Sequence, residues 1–145
     1  MQNILADIHQ YSDTLTISQV VTFFARKGRT VTRSMVQNYV RDGLLPPPLN
    51  KRQYTAQHLA TLALIDYLKG IYEMADIKRT LAPFMGEGGI SPQHYAQWVG
   101  QTAALAEAWQ QQLGPRLDAC AAEERELLRM LHCADLRGHK KTTLP

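Results

Sequence analysis

Cysteine is scarce: only Cys120 and Cys133 occur in 145 residues. Two thiols do not make the framework of a small secreted domain, so reduced cysteines are expected. Standing thirteen residues apart, they would lie about 220° around a helix of about 3.6 residues per turn and share no face. His132 adjoins Cys133, but no second ligand pair stands at a recognised spacing, so no metal site is expected. Long apolar runs are absent too. Nothing approaches the roughly 18 to 20 residues of a membrane span, and the opening MQNILADIHQYSD lacks the basic head and apolar stretch of a secretory leader. A cytoplasmic protein without membrane contact is expected. His9, His58, His94 and His139 are scattered, and no Ser/His/Asp set or carboxylate pair assembles from the sequence. An enzyme is not expected, nor is a cofactor. Internal repeats and low-complexity segments are also lacking.

Acidic residues are missing from one stretch in particular. Between positions 26 and 52, Arg26, Lys27, Arg29, Arg33, Arg41, Lys51 and Arg52 face Asp42 alone, a local net charge of +6 within a chain of only +3. Such a cluster attracts polyanions and speeds their capture. The rest of the composition, 45% apolar and 20% charged, is that of a chain with a real core.

Apolar spacing predicts mostly helices. Ile4, Leu5, Ile8, Tyr11 and Leu15 suggest a short N-terminal helix or docked arm. Thr16 and Gln19 form a capping-box pattern ahead of Val20, Val21 and Phe24, with a stop near Gly28. Thr32 can cap a second helix running to Gly43, a residue suited to the left-handed conformation that ends helices. This helix is two-faced: Met35, Val36, Tyr39 and Val40 on one side, Arg33, Ser34, Gln37, Asn38 and Arg41 on the other. LLPPPLN cannot be helical, and KRQYT reads as an extended return, so the two predict a small hairpin or wing with Lys51 and Arg52 at its tip or flank. Thr55 then caps a helix burying Leu59, Leu62, Ile65 and Leu68, followed by a short helix from about Met74 carrying Ile77, Leu81 and Phe84.

The glycine-rich MGEGG predicts a domain boundary, giving residues 1–85 and 86–145. Beyond it, Ser91 and Pro92 start a helix bearing Tyr95, Trp98, Thr102, Leu105 and Trp109, and Gly114 with Pro115 predicts its end. A last helix with Leu117, Ala121, Leu128 and Leu131 would complete a C-terminal helical hairpin. Aromatic residues at helical spacing usually pack a core or an interface, so Tyr95, Trp98, Leu105 and Trp109 are the expected homodimer contacts, with a small-molecule effector of unknown identity left open.

Two short helices around a tight turn, the second faced with Arg, Gln and Asn, meet the requirement for reading base edges. Arg pairs with guanine, and Gln or Asn with adenine, in a major groove that admits a helix. On this view Arg33, Ser34, Gln37, Asn38 and Arg41 meet double-stranded DNA, with Arg26, Lys27, Arg29, Lys51 and Arg52 on phosphates. The segment from Thr32 to Leu81 also resembles the DNA-binding domain of MerR-type regulators. Tyr39 followed by Gly43, Leu44 and Leu45, then Arg52 with Tyr54, then Met74 with Ile77, occupy that family's positions over about residues 16–85. The string MVQNYV before a short wing resembles a bacterial MerR-like group formerly known only as a domain of unknown function. The resemblance implies a winged helix-turn-helix, so the expected fold is all-α with a minimal β wing and a C-terminal helical hairpin. Two departures stand out: Gln37 replaces an Arg usual two residues before the helix Tyr, and PPPLNK makes a wing several residues shorter. The competing expectation is a protein-interaction module on the same frame, using the basic face for an acidic partner.

Overall fold

A computed structural model describes residues 1–118 and, beyond them, Glu124, Leu127, Leu128, Met130 and Leu131, which are helical. Five α-helices are seen among the described residues: α1 (Ile17–Arg26), α2 (Arg33–Arg41), α3 (Ala56–Leu68), α4 (Met74–Leu81) and α5 (Pro92–Asp118). Among the described residues, strand content is limited to isolated antiparallel bridges, Leu15 with Tyr54, Leu49 with Gln53 and Gly86 with Gly89. The fold is therefore mainly helical. The chain divides into two compact units, a first of Gln2–Val99 and a second of Gly100–Pro145 with Met1.

Local chemistry sets the helix ends in the first unit. Thr16 Oγ1 accepts from the Gln19 N–H at 3.3 Å while Gln19 Oε1 accepts from the Thr16 N–H at 2.8 Å, so two otherwise orphaned donors are satisfied at once. Thr32 Oγ1 caps α2 through the Met35 N–H at 3.1 Å. Gly28 (φ +75°) and Gly43 (φ +78°) take the left-handed conformation that ends α1 and α2. At the second of these ends Lys78 Nζ, from α4, donates to the Asp42 carbonyl at 3.0 Å, a cation where the helix dipole favours one.

The core is built around α3, whose residues His58 to Ile65 are all buried. Apolar character all round a helix marks one enclosed by its neighbours. Val20, Phe23 and Phe24 from α1, Val36 and Tyr39 from α2, Leu44 and Leu45 after it, and Ile77 and Leu81 from α4 complete the packing. α1 packs directly on α2, and these buried faces fix which sides of the two helices turn outward.

Two sequence expectations need correction. The glycine-rich segment is not a boundary but a packed turn inside the first unit: Gly86 and Gly89 exchange two backbone hydrogen bonds of 3.2 Å, and the Ile90 N–H donates to Thr61 Oγ1 at 2.9 Å. At Gly89 (φ +114°) a Cβ would stand 2.7 Å from Thr61 Oγ1 and 3.0 Å from the Gln57 carbonyl. Close approach to α3, not slack, requires glycine there. The expected end at Gly114 and Pro115 is also absent, since α5 runs through Pro115, although proline withholds one intrahelical donor. Of the four residues expected to be buried by the last helix, Leu128 and Leu131 are exposed, while Leu117 and Ala121, like both cysteines, lie outside the residues whose side chains are described.

Candidate nucleic-acid interface

The outward face of α2 follows from the packing of its inward one. With Val36 and Tyr39 buried, Arg33, Ser34, Gln37, Asn38 and Arg41 are all exposed. Beside this face stands the hairpin of residues 49–53. Leu49 and Gln53 exchange N–H to O bonds of 2.7 and 2.9 Å, and the Arg52 N–H donates to the Leu49 carbonyl at 3.1 Å. Asn50 (φ 50°) and Lys51 (φ 66°) form its tip in the left-handed region, the geometry that matches a turn to the twist of its strands. Asn tolerates that conformation; for Lys it costs on the order of 1 kcal/mol.

Three segments distant in sequence meet here. Thr16, Ile17 and Ser18 from the start of α1, Arg33 and Gln37 from α2, and Lys51, Arg52 and Tyr54 from the hairpin line an open groove of about 400 Å³. Arg33 is fixed in it, its Nη2 donating to Ser18 Oγ at 2.9 Å. Tyr54 forms the floor; burial pushes its phenol up against the opposing pull of the Arg33 charge. Arg33, Lys51 and Arg52 thus give the groove three cations without an acid among its lining residues.

The hairpin is held on one side by His58, which meets the Pro47 carbonyl, and on the other by two 2.8 Å backbone bonds between Tyr54 and Leu15; the bond between Thr55 and His58 is the capping box of α3. His58, fully buried on α3, accepts from the Thr55 N–H through Nδ1 at 3.0 Å. That assignment puts the ring proton on Nε2, which donates to the Pro47 carbonyl at 3.1 Å. Burial pushes its titration down, against a smaller upward pull from the Pro47 and Pro46 carbonyls.

The other expected residues are distributed differently. Lys27 donates to Asp7 Oδ1 at 2.8 Å and lies 5.5 Å from the Phe23 ring, a bond that holds the Asp7 carboxyl below its ordinary range. Arg29 lies 3.9 Å from Asp66, which also takes Lys69 at 3.3 Å. Both cations therefore face carboxylates of their own fold. Arg41 is exposed and pairs with Asp42 at 3.1 Å, outside the groove lining. Arg26 is exposed and lines a second shallow surface with Tyr11, Leu15, Ser18, Gln19, Thr22 and Phe23. Thr16 and Ser18 were missed from the sequence, although the capping box already placed their hydroxyls at the start of a helix.

The expected dimer contacts also separate. Tyr95 belongs to the core of the first unit: it is 2% exposed, and its hydroxyl donates to the Gln2 carbonyl at 3.0 Å. It cannot serve as a surface contact while that docking holds. Trp98 stacks on His94 at 5.3 Å and meets the Phe84 ring edge-on at 5.0 Å. Leu105 (71% exposed) and Trp109 (46%) lie in the second unit. Among the described residues no group of three or more His, Cys, Asp and Glu is placed to hold a metal, and no helix is long and apolar enough to cross a membrane.

A mainly helical domain with one cationic, open face is the class that this geometry defines. The chain belongs to the family described as Domain of unknown function (DUF1836), which matches residues 5–97. No curated protein and no solved structure matches the chain.

Proposed function

We propose that this chain is a sequence-specific DNA-binding protein, a cytoplasmic transcriptional regulator that lays α2 in the major groove as part of a winged helix-turn-helix. The observation that carries this is the convergence of Arg33 and Gln37, Lys51 and Arg52, and the first turn of α1 on one open groove. Gln37 and Asn38 present amides able to pair with adenine edges, and Arg33, anchored on Ser18, presents a guanidinium for guanine or phosphate. Lys51 and Arg52 act on phosphates, with the hairpin as the wing. The resemblance of residues 16–85 to MerR-type DNA-binding domains supports the same reading. Lys27 and Arg29 are left out of the contact set because Asp7 and Asp66 already engage them.

One module of this size covers only a few base pairs, so the reading includes two copies on a two-fold site. Residues from Gly100 on supply the contact, Leu105 among them; Tyr95 does not. Light scattering on the full chain then gives about twice its 16.4 kDa mass, and a monomer at micromolar concentration removes this part of the proposal.

Selection of bound genomic fragments supplies the test site. The double substitution Gln37→Ala/Asn38→Ala is expected to reduce preference for that site by about 1–3 kcal/mol. Intact preference in that variant means that α2 is not the reader. Absence of any duplex binding at low salt favours an interaction module with an acidic protein partner instead.

A further inference from the structure

We propose that Ser18 is a positioning residue of the DNA site, and that it assigns Arg33 to a backbone phosphate, leaving the base edges to Gln37 and Asn38. The inference deepens the DNA-binding reading and rests on it for its consequence. Arg33 opens α2, and Ser18 stands fifteen residues earlier, in the first turn of α1. The Arg33 Nη2–H donates to Ser18 Oγ at 2.9 Å, so the tip of the side chain reaches off its own helix to the neighbouring one. Among the described residues this is the one hydrogen bond of the Ser18 hydroxyl. The cap of α1 is Thr16, bonded to Gln19 in both directions, and Ser18 is exposed. Its hydroxyl therefore serves neither the helix end nor the core. What it holds is the guanidinium.

The surroundings decide what a guanidinium held there can meet. Arg33 shares its groove with Lys51 and Arg52, and no acid lines it. Lys27, Arg29, Arg41, Lys69 and Arg79 each pair with a carboxylate of the chain, whereas among the described residues Arg33, Lys51 and Arg52 pair with none. Like charges gathered on one surface repel one another. An anion seated among them relieves that repulsion, while a guanine edge offers only neutral acceptors. Gln37, one turn along the same face of α2, and Asn38 beside it are exposed and uncharged, and their amides suit base edges. Holding a long side chain in place before contact spares part of the ordering cost of binding. A phosphate contact made in one fixed direction also sets the register of α2 over the bases.

The test compares affinities of the full chain for its selected duplex and for a duplex of equal length with the site scrambled, over a range of salt. Arg33→Lys keeps the charge but cannot make a paired contact with guanine. It is expected to preserve the salt slope and to keep the ratio of the two affinities within about twofold of wild type. Loss of a guanine contact would instead cut that ratio by about five- to 150-fold. Arg33→Ala should lower the slope by about 0.9. Ser18→Ala should weaken both duplexes alike, by about two- to tenfold for one hydrogen bond, and Ser18→Thr, which keeps the hydroxyl, should bind as wild type does. If Ser18 acts through Arg33, Ser18→Ala has no further effect in Arg33→Ala. Nitrogen NMR of the free protein adds a readout without DNA: the Arg33 Nε–H group should become more mobile in Ser18→Ala but not in Ser18→Thr. Circular dichroism establishes that each variant is folded. A fall in site preference with Arg33→Lys would overturn the phosphate assignment. Equal weakening by Ser18→Ala with and without Arg33, or an Arg33 no more mobile once the hydroxyl is gone, would overturn the positioning role. An Arg33 ordered by Ser18 in a protein that binds no duplex keeps the anchor and removes the DNA reading.

Discussion

The chain makes two tight turns, one packed on α3 and one open to solvent, and they use opposite residue choices. At Gly86–Gly89 the backbone comes so close to Gln57 and Thr61 that a side chain at Gly89 has no room. At the tip of the hairpin, Asn50 and Lys51 take positive φ with the turn open to solvent, where glycine would be the easier choice. Glycine in the first turn serves packing. In the second, a lysine is carried in an unfavourable backbone conformation on a groove that already holds Arg33 and Arg52, and the proposed function gives its charge a use outside the fold.

The largest effect is expected at the packed turn. Gly89→Ala combines positive φ with a Cβ placed on Thr61 and the Gln57 backbone, and chemical denaturation should show a loss of about 2–4 kcal/mol. A loss under about 0.5 kcal/mol would mean that the turn is slack after all. Thr61→Val comes next. Its hydroxyl donates to the Gln57 carbonyl at 2.8 Å and accepts from the Ile90 N–H at 2.9 Å; removing it leaves a buried donor unmatched, a cost of about 1–3 kcal/mol. The smallest stability effect belongs to the open turn. Lys51→Gly relieves the strained φ while adding chain entropy, so its unfolding free energy should change by less than about 1 kcal/mol, even as the proposed DNA binding weakens. If instead Lys51→Gly destabilised the protein as much as Gly89→Ala, the contrast between the turns would collapse.

The same contrast explains what the sequence made visible. Helix starts at Thr16, Thr32 and Thr55 and stops at Gly28 and Gly43 were readable because each is a local event, settled within four residues. The polar face of α2 was readable for a related reason: a period of about 3.6 residues separates Val36 and Tyr39 from Gln37 and Asn38 without knowledge of any partner. The glycines at 86, 88 and 89 were misread because glycine permits both a flexible link and a close approach, and only the position of α3 decides between them. Asn50–Lys51 has no glycine, so its turn geometry gave no signal. Lys27 and Arg29 counted as free cations until the fold brought Asp7 and Asp66 to them, a long-range fact that local charge counting does not contain. Tyr95 was assigned outward because its periodicity is shared with Trp98 and Leu105, while its burial depends on the N-terminal arm carrying Gln2 and Ile4.

That the open turn exists to present charge to DNA can be tested on the salt dependence of binding. Duplex affinity of the full chain would be measured from low to physiological salt, for wild type and for Lys51→Ala/Arg52→Ala. Each phosphate neutralised contributes about 0.9 to the slope of log affinity against log salt, so the double variant is expected to lower that slope by about 1.8 while its melting stays within about 0.5 kcal/mol of wild type. An unchanged slope in a folded double variant would contradict the proposed role of the hairpin in holding DNA.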